Sequence, residues 1–235
     1  MILRSVIFNC IFYFSTPFIG IVFLPILFSR RLTFYIVRIW AKFILFSFRK
    51  IFKIKIQFVN KYIQKNRGYL IAANHQSIFD TIFFLTTFDK VIYIVKKELK
   101  HIPIYGWYAG RLGHIFLDRK QKIKSMKVLT KDIKNLIKKG YKVIIFPEGT
   151  RQFPNTLGVL KPGIFAMQLA TQSKVYPIYL KTGIAWPKKG MKKYKKKILI
   201  SCLRPIQNSE NKKYFLKLLK NRFLNADKDL KVKSR

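Results

Sequence analysis

Residues 70–80 read Leu-Ile-Ala-Ala-Asn-His-Gln-Ser-Ile-Phe-Asp, an apolar run that ends in a polar turn containing His75 and Asp80. The apolar run predicts a buried strand. Asn74 and Ser77 are favourable helix N-cap residues, and the apolar stretch after them predicts a helix. We therefore expect His75 where a strand turns into a helix, which is where α/β sheets present their ligand-binding groups.

His75 and Asp80 are residue types that together can act as a general base. A neutral imidazole takes a proton from a hydroxyl near pH 7, and a carboxylate on the other ring nitrogen fixes its tautomer. The alternative is a structural histidine in a loop beside a helix-capping acid. On these residues alone both interpretations stay open.

The composition is strongly basic. The 235 residues carry a formal net charge of +39, so the protein is attracted to polyanions such as anionic lipid headgroups or nucleic acid. Of the 9 acidic residues, four lie in the stretches that we interpret as functional: Asp80, Glu98, Asp118 and Glu148. The 2 cysteines are far apart and no His/Cys cluster suggests zinc, so we expect a reducing compartment, no metal and no cofactor.

The N-terminal region is predicted to meet a membrane. Residues 5–28 are almost entirely apolar and long enough to cross a bilayer, although Asn9, Pro17 and Pro25 would disturb a straight helix. A cleaved signal peptide is disfavoured because the apolar run is too long and shows no obvious cleavage motif.

A second helical stretch follows at residues 32–50. Its cations form one narrow stripe within about 40° around a helix, and the rest is mainly apolar or aromatic; the stripe consists of Arg31, Arg38, Lys42 and Arg49. This pattern is typical of a helix at a membrane interface, the alternative being a core helix with its stripe in water. We expect residues 1–50 to form a membrane-anchoring helical hairpin that spans the bilayer or enters one leaflet.

Strands alternate with helices in the remaining chain, which predicts an α/β domain over residues 51–235 with a largely parallel or mixed sheet flanked by helices. Strands are predicted at 52–59, 69–73, 91–95, 115–117, 143–146, 175–180 and 198–203. Helices are predicted at 78–88, 123–139, 164–170 and 211–224, and the tail at 227–235 is expected to be loose.

A second chemical stretch follows a buried strand at residues 146–151, which read Phe-Pro-Glu-Gly-Thr-Arg. Proline stops strand pairing, Gly149 permits close backbone approach, and Thr150 and Arg151 offer donors to an oxyanion. Arginine binds phosphate through two hydrogen bonds, so the stretch indicates a phosphate pocket at the carboxyl end of a strand. The alternative is a solvated surface arginine.

With these stretches in view, the chain resembles the 1-acyl-sn-glycerol-3-phosphate acyltransferases, a family of glycerolipid acyltransferases. The family's Asn-His-x4-Asp block is matched at 74–80 and its Phe-Pro-Glu-Gly-Thr-Arg block at 146–151. Its block of an apolar residue followed by Pro-Ile is matched at 175–178. Its remaining block is matched, at the family's spacing, by Lys97, Glu98, Leu99, Pro103, Gly106, Trp107, Gly113, Phe116, Asp118 and Arg119. Gln152 departs from the usual serine, and Leu160 replaces an aromatic residue.

The resemblance implies transfer of a fatty acyl group from an acyl thioester to the hydroxyl of 1-acyl-sn-glycerol-3-phosphate, which makes phosphatidic acid. It implies His75 and Asp80 as the catalytic residues, and acyl-CoA or acyl carrier protein as the donor. The substrate-binding residues that it implies are Glu148, Gly149, Thr150, Arg151, Lys97 and Arg119. Glu148 is expected to contact the glycerol or to fix Arg151.

We expect the protein at the inner (cytoplasmic) membrane with its catalytic domain facing the cytoplasm, because its basic residues favour that side. One alternative keeps the enzyme class but changes the acceptor to lyso-ornithine lipid, another lysophospholipid or glycerol-3-phosphate. An alternative of another class is a non-catalytic, membrane-bound basic protein that binds anionic lipid or RNA. No RNA-binding motif is visible, so no nucleic-acid partner is expected.

Overall fold

The computed structural model describes residues 1–59, 62–63, 67–118 and 124–232. Its helices are α1 (Ile2–Val22), α2 (Arg30–Phe52), α3 (Ile78–Thr87), α4 (Tyr105–Leu112), α5 (Lys124–Lys138), α6 (Gly163–Thr171) and α7 (Lys212–Val232). Its strands are β1 (Ile56–Val59), β2 (Tyr69–Ala73), β3 (Val91–Lys96), β4 (Ile115–Leu117), β5 (Lys142–Ile145), β6 (Val175–Lys181) and β7 (Ile198–Cys202). Short 3-10 helices occupy Leu24–Phe28 and Lys97–His101.

The strands form one mixed sheet in the order β1-β7-β6-β2-β5-β3-β4. The five neighbours from β6 to β4 are mutually parallel, whereas β7 runs antiparallel to β6 and β1 runs parallel to β7. This architecture confirms the prediction of a largely parallel or mixed sheet flanked by helices. Because parallel strands end on the same side, the loops after these five strands meet at one edge, which we call the carboxyl edge.

Both faces of the sheet are covered by helices. Successive residues of β2 point to opposite faces, so Ile71 packs in the core under α2 and α3 while Leu70 packs in the core under α5, α6 and α7. A strand buried on both faces is apolar at every position, and all five residues of β2 are buried. This double burial explains why the strand stands out in the sequence as a continuous apolar run.

The two N-terminal helices share the core of the α/β domain. The ring of Phe8 on α1 lies 5.0 Å from that of Phe48 on α2 and 4.9 Å from that of Trp186, which follows β6. Phe48 in turn lies 6.1 Å from Phe79 on α3. We call these four rings, together with Phe52, the aromatic cluster; it joins α1 and α2 to the sheet side of the protein.

The helix boundaries differ from the predicted ones where tertiary packing decides them. The predicted strand at 52–59 is shorter, because α2 continues to the fully buried Phe52 and is capped by Lys53, whose φ is 49°. The predicted loose tail is helical to Val232, and Tyr179 donates a 2.8 Å hydrogen bond to Asp227 from the neighbouring strand β6. Pro17 lies inside α1 without ending it.

Candidate active site

The turn between β2 and α3 carries the predicted catalytic pair. Ser77 caps α3, since its Oγ accepts a 3.1 Å hydrogen bond from the backbone N–H of Phe79. Asn74, also predicted as a cap, has another role: its side chain donates to the carbonyl oxygen of Leu180 (3.0 Å) and accepts from the Leu180 N–H (2.7 Å). Beyond the end of β2, the Asn74 side chain thus pairs with the backbone of β6, and this fixes the start of the turn.

Asp80 is the most heavily bonded side chain of this turn. Its Oδ2 accepts hydrogen bonds from the backbone N–H groups of Gln76 (2.7 Å) and Ser77 (2.9 Å), and it lies 2.8 Å from Nδ1 of His75. Its Oδ1 accepts a 2.5 Å hydrogen bond from the hydroxyl of Thr182, which follows β6. The side chain is fully buried, and four donors satisfy the desolvated carboxylate.

Two contacts orient the ring of His75, one to a ring nitrogen and one to a ring face. Nδ1 faces the carboxylate of Asp80, and the ring stacks on Phe146 at 4.0 Å between centroids with an interplanar angle of 18°. A carboxylate accepts and does not donate, so Nδ1 carries the proton and Nε2 of a neutral ring is the acceptor. Among the described residues Nε2 has no hydrogen-bond partner, which leaves it available to a substrate hydroxyl.

Glu148 joins two loops of the site. One oxygen accepts the backbone N–H of His75 and the other that of Gly158, each at 2.9 Å, and the residue is only 3% exposed. Burial raises the pKa of this carboxyl, and the two N–H groups partly oppose the increase. These contacts differ from the expected ones to the glycerol or to Arg151, so the role that the structure supports for Glu148 is to hold the loops together.

The predicted phosphate segment lies directly beside His75. It begins with a turn in which the N–H of Gly149 donates to the carbonyl of Phe146 (2.9 Å), with a positive φ of 70° at the glycine. The N–H of Gln152 then donates to the carbonyl of His75 (2.7 Å). Arg151 is half-buried and Thr150 is exposed. The structure therefore brings the two sequence blocks, 74–80 and 146–151, together at the carboxyl edge.

Lys97, another predicted substrate-binding residue, lies on the same edge of the sheet. Lys97 comes directly after β3, and its Nζ lies 3.0 Å from Oδ2 of Asp118, which follows β4. Lys97 stays about half exposed (52% of the side chain). Arg119 lies outside the described residues. In the part of the chain that the structure describes, no group of three or more His, Cys, Asp or Glu residues could hold a metal ion.

Two contacts of the site were not predicted from the sequence. Thr182 lies 102 positions after Asp80, and only the pairing of β6 with β2 brings its hydroxyl to the carboxylate. Phe146 belongs to the second block, but nothing in its sequence context indicates that its ring stacks on an imidazole. The sequence feature that points to both residues is their position, because each directly follows a strand that ends at the carboxyl edge.

Fold and site together define a class of protein: an α/β protein whose sheet presents a histidine, oriented by a buried carboxylate, beside an arginine-bearing loop. An oriented imidazole of this kind can take a proton from a substrate hydroxyl, and such chemistry needs no serine or cysteine nucleophile from the protein.

Comparison with known proteins places the chain within this class. The family model described as Acyltransferase matches residues 55–181, which is more than half of the 235 residues, and the chain belongs to this family. It is 32% identical over 170 residues to a 1-acyl-sn-glycerol-3-phosphate acyltransferase of Pseudomonas aeruginosa, covering 72% of this chain and 66% of that protein. It is 34% identical over 110 residues to the enzyme of that name from Saccharomyces cerevisiae, covering 46% of this chain and 36% of the yeast protein. The matched region thus spans about two thirds or less of these relatives' own length.

A solved structure has the same fold. The crystal structure of the 1-acyl-sn-glycerophosphate (LPA) acyltransferase PlsC from Thermotoga maritima superposes with a TM-score of 0.73, covering 98% of this chain and 95% of that one. The sequence identity is 22%, so this similarity concerns the fold. The family resemblance seen in the sequence is confirmed.

The raised pKa of Glu148 predicts a pH-dependent contribution to stability. An acid that binds its proton more tightly in the folded state stabilises the protein at low pH. That contribution to the free energy of unfolding is lost as the pH rises from the ordinary pKa of 4.5 through the raised folded value. We expect the free energy of unfolding of the wild type, minus that of Glu148→Gln, to fall over this pH window and then level off. Chemical denaturation in detergent at a series of pH values measures it.

Glu210→Gln is the matched control, because Glu210 is exposed. Glu148→Gln also leaves one backbone N–H without its acceptor, which adds a pH-independent cost of about 1–3 kcal/mol. A difference between wild type and Glu148→Gln that stays constant across the pH range would contradict the assigned pKa direction.

Proposed function

We propose that the protein transfers a fatty acyl group from an acyl thioester to the free hydroxyl of 1-acyl-sn-glycerol-3-phosphate and so forms phosphatidic acid. The observation that carries this proposal is the double connection between the two blocks of the site. Glu148 accepts the N–H of His75, and Gln152 donates to the carbonyl of His75. The base and the arginine-bearing segment are thus held as one unit, as an acceptor with a hydroxyl and a phosphate requires.

The reaction follows from the orientation of His75. Nε2 takes the proton of the acceptor hydroxyl as its oxygen attacks the carbonyl carbon of the thioester. The new C–O bond forms, the C–S bond breaks, and the protonated imidazole returns its proton to the departing thiolate. The Asp80 carboxylate stabilises the imidazolium between these two steps. No serine or cysteine nucleophile takes part, because the substrate supplies the attacking oxygen.

Arg151 is proposed to bind the phosphate of the acceptor, together with Thr150 and Gly149. Its guanidinium is permanently charged and matches two phosphate oxygens at once. The segment is a loop beside the base, which suits a headgroup that must bring its hydroxyl to Nε2. Lys97 is proposed as a further cation at this edge, with Asp118 as its ion-pair partner.

The N-terminal helices are proposed to hold the protein at the membrane. α1 is the one described helix that is long and apolar enough to cross a bilayer. α2 has a second exposed apolar face, which the basic stripe borders. Large apolar side chains are exposed on both helices; they are Ile2, Leu3, Val6, Ile7, Tyr13, Phe14, Phe18, Ile21, Val22, Leu32, Tyr35, Ile39, Phe43 and Phe46.

Such a surface delivers a lipid substrate from the bilayer to the carboxyl edge. The location at the cytoplasmic membrane and the domain boundary near residue 50 stay predictions. The proposed donor is an acyl thioester, either acyl-CoA or acyl carrier protein.

The acceptor is tested with the purified protein in detergent. Acyl-CoA and then an acyl carrier protein donor are supplied with 1-acyl-glycerol-3-phosphate, lyso-ornithine lipid, glycerol-3-phosphate or a lysophospholipid with a larger headgroup. We expect phosphatidic acid to be the main product. Arg151→Ala should raise the KM for 1-acyl-glycerol-3-phosphate by about 10–100-fold with kcat little changed, because lost charged hydrogen bonds weaken binding without touching the base.

Arg204→Ala is the control, because Arg204 is exposed and follows β7, which ends at the opposite edge of the sheet. A rise in the donor KM alone would remove Arg151 from the phosphate site. No product with any acceptor would favour the non-catalytic alternative.

The membrane surface is tested by charge insertion. Phe14 and Phe18 on α1 are 74% and 67% exposed, so Phe14→Glu combined with Phe18→Glu leaves the core intact. Placing two carboxylates against lipid costs several kcal/mol, and we expect vesicle binding to fall by at least about tenfold. The measurement is co-sedimentation with anionic phospholipid vesicles. Tyr214→Glu is the control, on the exposed face of α7 across the sheet; unchanged binding of the double variant would place the anchor elsewhere.

A further inference from the structure

The connection between β6 and β7, residues 182–197, touches three separate parts of the protein. At its start, Thr182 donates to Asp80 (2.5 Å). Further on, the carbonyl of Met191 accepts a 2.7 Å hydrogen bond from the side chain of Asn9 on α1. Between these points, Lys188 reaches the segment that follows β5. One connection therefore joins the catalytic carboxylate, the N-terminal helix and the arginine-bearing loop.

Lys188 makes two contacts with that loop. Its Nζ donates a 3.0 Å hydrogen bond to the backbone carbonyl of Arg151 and lies 3.8 Å from the centre of the Phe153 ring. Gln152, between these two residues, donates its N–H to the carbonyl of His75 (2.7 Å). Residues 151–153 are therefore held from one side by the backbone of His75 and from the other by the ammonium of Lys188.

The position of Lys188 is itself well fixed. Two residues earlier, Trp186 packs in the aromatic cluster, 4.9 Å from Phe8 and 5.1 Å from Phe48. Three residues later, the bond from Asn9 holds Met191. This bond also accounts for a buried asparagine in a mainly apolar helix, since its amide satisfies the backbone of the connection.

We propose that Lys188 is a positioning residue of the acceptor site, which fixes the backbone of Arg151 so that its guanidinium meets the phosphate of the lysophospholipid. The inference rests on the proposed function. A charge-assisted hydrogen bond and a cation–π contact restrict a loop that has no helical or strand pairing of its own. Without them the guanidinium samples positions that do not bind, and the affinity for the acceptor falls while the base is untouched.

The first variant is Lys188→Met, which keeps an unbranched side chain one atom shorter but removes the charge. In the full chain in detergent, we expect the KM for 1-acyl-glycerol-3-phosphate to rise about tenfold, which corresponds to the loss of one charge-assisted hydrogen bond. We expect kcat and the donor KM to stay within about twofold. Lys188→Arg should restore most of the affinity, because guanidinium makes both contacts. The control is Lys189→Met, at the adjacent exposed lysine.

A double-mutant cycle separates positioning from direct contact with the phosphate. If Lys188 acts through Arg151, adding Lys188→Met to Arg151→Ala raises the acceptor KM no further. An additional rise in the double variant would overturn the inference, because Lys188 would then contact the substrate itself. A rise for Arg151→Ala with no effect of Lys188→Met would also overturn it, while leaving the proposed function intact. If neither variant changes the acceptor KM, the phosphate role of Arg151 is overturned, and the inference with it.

A second route keeps the inference testable if Lys188→Met does not fold. Asn9→Leu removes the bond to Met191 but suits an apolar helix, so the connection loosens without a direct change in the loop. We expect a smaller rise in the same acceptor KM, about threefold, with kcat unchanged. An Asn9→Leu protein that folds and keeps the wild-type acceptor KM would count against the inference.

Discussion

The buried carboxylate of Asp80 is the constraint on which the site depends. A fully desolvated charge is tolerated only when donors surround it, and here they come from two places: the turn after β2, which includes the ring of His75, and the residue after β6. The two places meet only because β2 and β6 are parallel neighbours that end on one edge. The same carboxylate fixes the tautomer of His75 and so decides which ring nitrogen receives a proton.

Much of this arrangement was predictable from local sequence. The strand–turn–helix of residues 69–87 follows from an apolar run, the capping residue Ser77 and a second apolar stretch, because each signal is local. The contact of Thr182 with Asp80 was not predictable, because it depends on strand order, which long-range pairing sets. The two backbone contacts of Glu148 were not predictable for a related reason. Its partners are backbone N–H groups of distant loops, which no side-chain pattern reveals.

The element boundaries also differ between what local sequence predicts and what long-range contacts set. The alternation at 52–59 predicted a strand, but the packing of Phe52 against Phe48 (5.2 Å) keeps the first residue in α2. The tail at 227–235 was predicted to be loose, yet buried Leu230, together with Ala226 just before the tail, docks α7 against the sheet. Tertiary contacts overrode local preference in both cases.

The N-terminal helices connect the proposed lipid contact to the chemistry. One side of α1 carries Phe8 into the aromatic cluster and Asn9 to the β6–β7 connection, while its other side is apolar and exposed. Removing residues 1–50 would strip rings from the core as well as any membrane contact. The membrane contact of this region is therefore best separated from its role in the core by substituting exposed residues rather than by truncation.

The central claim is that His75, oriented by Asp80, is the base that activates the acceptor hydroxyl. The most direct measurement is the kcat of His75→Ala for phosphatidic acid formation, with saturating donor and acceptor and with the thermal unfolding of the variant as a check on its fold. General-base catalysis contributes about 10²–10⁴-fold, so the account predicts a loss of kcat in that range for a folded variant. A folded His75→Ala protein that keeps its kcat within about threefold of the wild type would contradict it.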